Sequence, residues 1–324
     1  MIHGTDVVVV GAGVSGLTCA VRLAEAGRRV LVRSADTPSS TTSCAAGAIW
    51  GPHLVAHERA GQWALESLEV FRELSRDPAT GVRMTPGVEA SRDGLETPEP
   101  GLGAEAVQRC DPATLPPGYT SGWRYTVPLI DMTRYLAHLA ARLRDLGGRI
   151  AVRRPVTAAE LPGLGAIVVN CAGLGARDLV PGDDIRPIRG DLLVVDNPGI
   201  DAFFVEHDTD EDGLTTYVLP QGGRVMLGGS RYAGEWSRRP DPGVARGILD
   251  RCARAEPLLS GARVREHRVG LRPVRDRVRL AADERYAHLI HNYGHGGGGV
   301  TLSWGCAGEV LALTGAAAHT TRRG

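Results

Sequence analysis

The stretch Thr5-Asp6-Val7-Val8-Val9-Val10-Gly11-Ala12-Gly13-Val14-Ser15-Gly16 runs β-branched residues straight into a Gly-x-Gly-x-x-Gly turn, and Leu17, Ala20, Val21, Leu23 and Ala24 follow at helical spacing. This order predicts a strand, a tight turn and a helix. Gly11 serves the turn, Gly13 opens the backbone to a pyrophosphate, Gly16 lets helix and strand pack closely, and the helix N-terminus faces the anion. With Ala12, Val14 and Ser15 between the glycines, the turn is expected to hold a dinucleotide.

With 324 residues, 43% hydrophobic content and a formal net charge of zero, the chain has the composition of a globular protein long enough for two lobes around one crevice. The charge balance gives no reason to expect nucleic acid. No apolar run approaches the roughly 20 residues that span a bilayer, so no membrane partner is expected, and the cytoplasm is the expected compartment. The six cysteines, Cys19, Cys44, Cys110, Cys171, Cys252 and Cys306, are widely spaced without a C-x-x-C pair, and read as small buried hydrophobes in a reducing environment. No metal site is expected. The sequence contains no lysine, which excludes a lysine Schiff base and a phosphate-binding loop of the Walker type.

A second parallel strand is predicted over Arg28–Ser34. An acidic residue commonly ends this strand and binds the adenosine ribose; here Arg33 and Ser34 stand there and Asp36 follows late. The substitution weakens an NAD reading and keeps NADP open, since an arginine suits a 2′-phosphate. The stretch from Ser39 to His53 is hydroxylic, then small and aromatic, and is expected to line the ligand with Thr41, Thr42, Ser43, Ala46, Gly47, Ala48 and Ile49. Helices are expected over Gly61–Arg76 and Met132–Leu146, the latter capped by Asp131, with loops and short strands of a second lobe from Pro78 to Pro117.

Ala166–Arg177 reads as a buried strand running into a second glycine turn at Cys171, Ala172 and Gly173. Two such turns suggest one extended cofactor gripped twice, which favours FAD over a nicotinamide nucleotide. Short strands at Asp191–Val195, Phe203–Glu206, Thr215–Leu219 and Arg224–Leu227 predict an antiparallel sheet, followed by a helix over Pro242–Glu256 and a strand over Arg263–Val269. Near the end, a strand from Leu289 enters a glycine-dense turn (Gly294, Gly296, Gly297, Gly298, Gly299, Val300, Thr301) and then a helix to about Thr314. Such a turn suits backbone pressed against a flat ligand.

Together these segments resemble the D-amino-acid oxidase family of FAD enzymes, which includes D-aspartate oxidase. The resemblance spans nearly the whole chain and rests on Gly11–Leu17, Ala46–Pro52, Asn170–Gly175, Arg189-Gly190, Gly228-Gly229, Gly270–Arg275 and His291–Gly297. It implies an α/β plus α+β architecture: a Rossmann-type FAD-binding domain from interleaved segments of about 1–75, 128–185 and 268–324, and a largely antiparallel substrate domain of about 76–127 and 186–267. It also implies oxidative deamination of D-amino acids, with hydride passing from Cα to flavin N5, oxygen reduced to hydrogen peroxide, and the imino acid hydrolysed to a keto acid. By motif match Arg272 holds the substrate carboxylate, Tyr217 donates a second hydrogen bond to it, and the Gly297 carbonyl accepts from the amine, with Ile49 beside the substrate. His295 is expected to be structural.

Two departures bear on specificity. Many family members carry a second tyrosine about four residues before the one matching Tyr217, where this chain has Gly213, preceded by the acidic segment His207–Asp212, which reads as a solvated loop or, alternatively, as a lid that favours cationic substrates or speeds product exchange. Arg231, just after Gly228-Gly229, resembles the arginine with which D-aspartate oxidases bind a side-chain carboxylate. Neutral D-amino acids are therefore the expected substrates, with D-aspartate and D-glutamate through Arg231, or glycine and secondary amines, as alternatives. The final residues lack the Ser-Lys-Leu signal of many eukaryotic relatives. A bacterial enzyme, acting alone or as a homodimer, is expected.

Overall fold

The computed structural model describes residues 5–51, 55–97, 103–207 and 213–321, with side chains described as far as 315. Pro52, His53 and the acidic segment Asp208–Asp212 therefore lie outside the described residues. The strands join in one sheet of fourteen, and its two halves differ in character.

One half is parallel. β1 (Val7–Val10) pairs with β2 (Val30–Ser34) on one side and, across the chain, with a later strand at Ile167–Asn170 on the other. The valine run of β1 is wholly buried, as a strand covered on both faces requires. The turn after it leads into α1 (Val14–Glu25). Gly11 has φ 112°, and a Cβ there would lie 2.4 Å from the Cys171 carbonyl oxygen; a Cβ on Gly16 would lie 2.0 Å from the Gly11 carbonyl oxygen. A side chain at 11 would collide with the turn after the Ile167–Asn170 strand, and one at 16 would force α1 away from the end of β1.

α2 (Ala60–Leu74) packs on the core through Trp63, Leu68 and Phe71. β3 (Val82–Ser91), β4 (Glu105–Arg109) and β5 (Ser121–Ile130) follow, and β3 and β5 are ten residues each. The sequence predicted only loops and short strands over most of this region. Pro86-Gly87 breaks the alternating pattern of β3, yet Gly87 is a strand residue, because the Phe203 ring occupies the space of its missing Cβ, 2.2 Å away. α3 (Met132–Asp145) is capped as expected by Asp131, whose carboxylate accepts from the amides of Thr133 and Arg134. β6 (Arg149–Val152) is a half-exposed edge strand parallel to β2, without an apolar run to announce it. β7 (Ile167–Asn170) completes the pairing on β1, and α4 (Ala176–Leu179) follows its turn.

The other half is antiparallel over most of its width: β8 (Arg186–Asp196), β9 (Phe203–Glu206), β10 (Leu214–Gln221), β11 (Arg224–Ser230) and the short β12 (Tyr232–Ala233), backed by α5 (Pro242–Ala255). β13 (Val264–Ala282) then runs for 19 residues, well beyond the Arg263–Val269 strand predicted. It continues through Gly270 and Pro273 because it changes partner, pairing with β8 up to Val274 and with β14 (Leu289–His295) from there on. β14 lies parallel to β7, so β13 joins the two halves. α6 (Ser303–Thr321) extends past the expected end at Thr314.

α6 is capped across the core. The fully buried Ser67 hydroxyl on α2 donates to the Trp63 carbonyl at 2.8 Å and accepts from the Trp304 and Gly305 amides at 3.1 Å each, two of the orphan donors of a helix start. Ser67→Ala is expected to lower unfolding free energy by about 1–3 kcal/mol through those unsatisfied donors, measured as a fall in the urea midpoint with unchanged slope.

Candidate active site

A single cavity of about 810 Å³ runs along the C-terminal ends of the parallel strands into the antiparallel half, at the upper end of the size usual for ligand pockets. One end is bounded by Arg33 and Ser34 at the end of β2, by Asp36 after it and by Pro155–Ala158 after β6. The middle is walled by Gly11, Ala12, Gly13, Val14 and Ser15 and by Cys171, Ala172 and Gly173. Thr41, Thr42, Ser43, Ala46, Gly47, Ala48 and Ile49 also line it. The far end carries Tyr217, Arg231, Arg272, Gly296, Gly297, Gly299 and Val300.

Four residues singled out in the sequence do not line this space. Gly16 packs on Gly11 beneath the turn, and Gly294 lies against the Arg275 side chain, while the Gly298 amide closes a turn on the His295 carbonyl at 2.9 Å. Thr301 is buried, donates its hydroxyl to the Gly51 carbonyl at 2.8 Å and accepts from the Gly51 amide at 3.2 Å. It anchors the 46–51 loop, which is also fixed to β5 by the Trp50 amide on the Pro128 carbonyl and the Ile130 amide on the Ala48 carbonyl, each 2.9 Å.

The cavity wall fits an extended anionic dinucleotide. The Val14 amide donates to the Ser43 hydroxyl at 3.0 Å, which brings the hydroxylic loop against the start of α1. Arg33 Nε is buried with no hydrogen-bond partner, an arrangement that suits an arginine meeting the adenosine part of a ligand. Val156 and Thr157 at this end were not singled out in the sequence, because the exposed β6 that delivers them gave no signal.

At the far end the Arg272 guanidinium lies flat on Gly190, where a Cβ would come within 2.4 Å of it, and Nη1 donates to the Ser230 carbonyl at 3.0 Å. Burial lowers its pKa, but a guanidinium starts so high that it remains a cation. The buried Asp191 nearby is already matched. Arg189 donates to it at 2.8 and 3.0 Å, the Ser230 hydroxyl at 2.7 Å, and His267 Nε2 lies 2.8 Å away, so it stays ionised with its pKa lowered despite burial. Arg272 is thus left facing the cavity as a fork for an anion.

The Tyr217 ring covers Gly228 and Gly229, where Cβ atoms would come within 1.7 and 2.8 Å of it. Burial pushes its pKa up to about 12, against the opposing pull of Arg272, so its hydroxyl is a donor at neutral pH. The Gly296 amide donates to the Pro273 carbonyl at 2.9 Å, which ties the glycine turn bearing Gly297 to the residue after Arg272. Arg231 is exposed at this end, its amide on the Gly213 carbonyl at 2.8 Å, and its charge adds to the lowering at Arg272.

Fold and cavity together define a flavoprotein oxidoreductase. The family model described as FAD dependent oxidoreductase matches residues 6–313, and the chain belongs to that family. It is 47% identical over 317 residues to a D-amino-acid oxidase of Rubrobacter xylanophilus, covering 96% of each chain. It is also 47% identical over 314 residues to a D-amino-acid oxidase of Streptomyces coelicolor, covering 95% of this chain and 96% of that one. The fold is shared with glycine oxidase from Geobacillus kaustophilus, with a TM-score of 0.80 at 20% identity over 96% of this chain and 94% of that one. The protein is thus FAD-dependent, and no helix among the described residues is long and apolar enough to cross a membrane.

His295 is buried, with Nε2 3.0 Å from Asn292 Oδ1, and burial lowers its pKa from 6.5 to about 4. As the pH falls from 6.5 towards 4 the unfolded chain binds this proton before the folded one does, so stability is lost over that window. Thermal unfolding is expected to shift to lower temperature across it, and less steeply in His295→Gln, whose amide still donates to Asn292.

Proposed function

We propose that the protein oxidises D-amino acids, with neutral side chains favoured. The observation that carries this is a half-buried, cavity-facing Arg272 close enough to Tyr217 for their charges to interact, linked through Pro273 and Gly296 to the turn that bears Gly297. The 47% identity to two D-amino-acid oxidases supports the same reading. The expected division into two domains is consistent with the sheet: β1, β2, β6, β7 and β14, the parallel set, all fall in segments 1–75, 128–185 and 268–324. We take the first set as the FAD-binding domain and 76–127 with 186–267 as the substrate domain.

In this reading Arg272 binds the substrate carboxylate through two parallel N–H donors, and Tyr217 adds a third. The Gly297 carbonyl accepts from the substrate amine, which fixes the Cα–H direction at three points together with Ile49 on the facing wall. When bound, FAD would supply the hydride acceptor and the two-electron reduction of oxygen to hydrogen peroxide. No side chain need act as a base at Cα, because the amine gives up its proton to solvent before hydride leaves; positioning does the rest. The cytoplasm is the compartment we propose, with the protein a monomer or homodimer.

Anaerobic bleaching of the flavin by D-alanine tests the reading. The rate is expected to rise towards alkaline pH as the substrate amine loses its proton, with no fall caused by Tyr217 below its pKa of about 12. Arg272→Ala is expected to lower kcat/KM at least about a hundredfold through loss of a bidentate charged contact. Absence of bleaching by any D-amino acid refutes the reading.

A second reading, oxidation of D-aspartate and D-glutamate, is favoured by the position of Arg231 on the cavity wall. If it holds, Arg231→Ala abolishes D-aspartate turnover and spares that of D-alanine, as measured by peroxide release.

A further inference from the structure

We infer that, among long substrate side chains, the pocket selects those ending in a cation, through the buried carboxylate of Glu89. This rests on the oxidation of D-amino acids proposed above. Glu89 lies on β3, is 2% exposed and lines the cavity. In register it stands opposite Val205 on β9, which stands opposite Tyr217 on β10. Residues directly opposite in paired strands leave the sheet on the same side, and Glu89, Val205 and Tyr217 all face the cavity. Two strand spacings separate Glu89 from Tyr217, roughly 10 Å, a span comparable to an extended arginine or lysine side chain whose carboxylate rests on Arg272.

The carboxylate is held in place by its neighbours. Gly87 leaves room for the Phe203 ring, whose centroid lies 5.3 Å from that of Tyr125, and the Tyr125 hydroxyl donates to Glu89 Oε2 at 3.1 Å. His207 Nδ1 lies 2.9 Å from Oε1. These contacts orient the group at the wall, where little water screens it. A guanidinium or ammonium arriving there meets an oriented anion, a neutral group of the same length gains less, and a carboxylate is repelled. Arg231, the cation of opposite preference, is exposed, and solvent weakens its pull. The charged residue that discriminates most strongly is thus the buried one.

The test compares D-arginine with D-citrulline, which keeps the length and replaces the guanidinium by a neutral ureido group. Reductive half-reaction rates are measured anaerobically with the holoenzyme. Their α-amines titrate alike, so the ratio cancels the pH dependence of the chemistry. The wild type is expected to favour D-arginine in kred/Kd by about tenfold or more, as a site built for a polar partner discriminates, and the ratio should approach one in Glu89→Gln. Tyr125→Phe, which keeps the ring contact with Phe203 and removes the hydroxyl that orients Glu89, is expected to lower the same ratio. A wild-type ratio near one overturns the inference even if Glu89→Gln does not fold, and so does a ratio that neither variant changes. D-Alanine separates the two failures: bleaching by D-alanine with a flat ratio removes only this inference, whereas bleaching by no D-amino acid removes the function proposed above as well.

Discussion

A half-buried guanidinium laid against bare backbone is the constraint on which the far end of the cavity depends. Arg272 can lie flat only because position 190 has no Cβ, and it remains open to a ligand only because Asp191 is satisfied by Arg189, Ser230 and His267. Ser230 serves both groups: its hydroxyl donates to Asp191 and its carbonyl accepts from Arg272. Had Asp191 lacked those partners, it would have been the natural counter-ion for Arg272, and the fork would have been closed internally. Matching the buried Asp191 charge is what leaves the Arg272 charge open to the cavity.

The strand that carries Arg272 also fixes its distance from the cofactor side. β13 exchanges β8 for β14 at Val274, two residues after Arg272, and Val274 pairs with His295 at the start of the glycine turn. The Gly296 amide on the Pro273 carbonyl continues the same ladder. Arg272 on β13 and the turn that bears Gly297 are therefore tied together by a strand pair and a backbone hydrogen bond. Such a mounting holds its geometry better than two groups on separate loops, which suits a reaction whose catalysis is mostly alignment.

The features that were legible in the sequence share one physical origin: each is imposed by a local requirement. The glycines at 11 and 16, the capping Asp131 and the apolar faces of α1, α2 and α3 follow from backbone sterics and burial, and their spacing displays them. That Arg272, Tyr217 and Gly297 line one cavity was legible only through their flanking motifs, since isolated arginines and tyrosines on strands have many ordinary uses. What stayed hidden depends on partners distant in the chain. β6 is exposed and carries no apolar pattern. Gly87 reads as a strand breaker until Phe203 is seen to fill its place, and Ser67 caps a helix 236 residues further on. The length of β13 was concealed because Gly270 and Pro273 look like a strand's end, while in the fold they mark its change of partner.

The same division explains where specificity resides. The turn at Gly11, the bare backbone of Gly190 beneath Arg272 and the Pro273–Gly296 contact belong to the backbone, so changing any of them disturbs the sheet itself. The side-chain wall is different: Glu89, Val205 and Thr215 project from strands whose ladder does not depend on their identity, and Arg231 stands at a strand end. A charge there can be exchanged at little cost to the fold, provided a buried one keeps its partners, as Glu89 does through Tyr125 and His207. In the function proposed above, Arg272 takes the carboxylate common to all amino acids, and this exchangeable wall is where one side chain would be told from another. Burial ranks the charges on it: Glu89 acts in a poorly hydrated setting, whereas the field of Arg231 is spent largely on water.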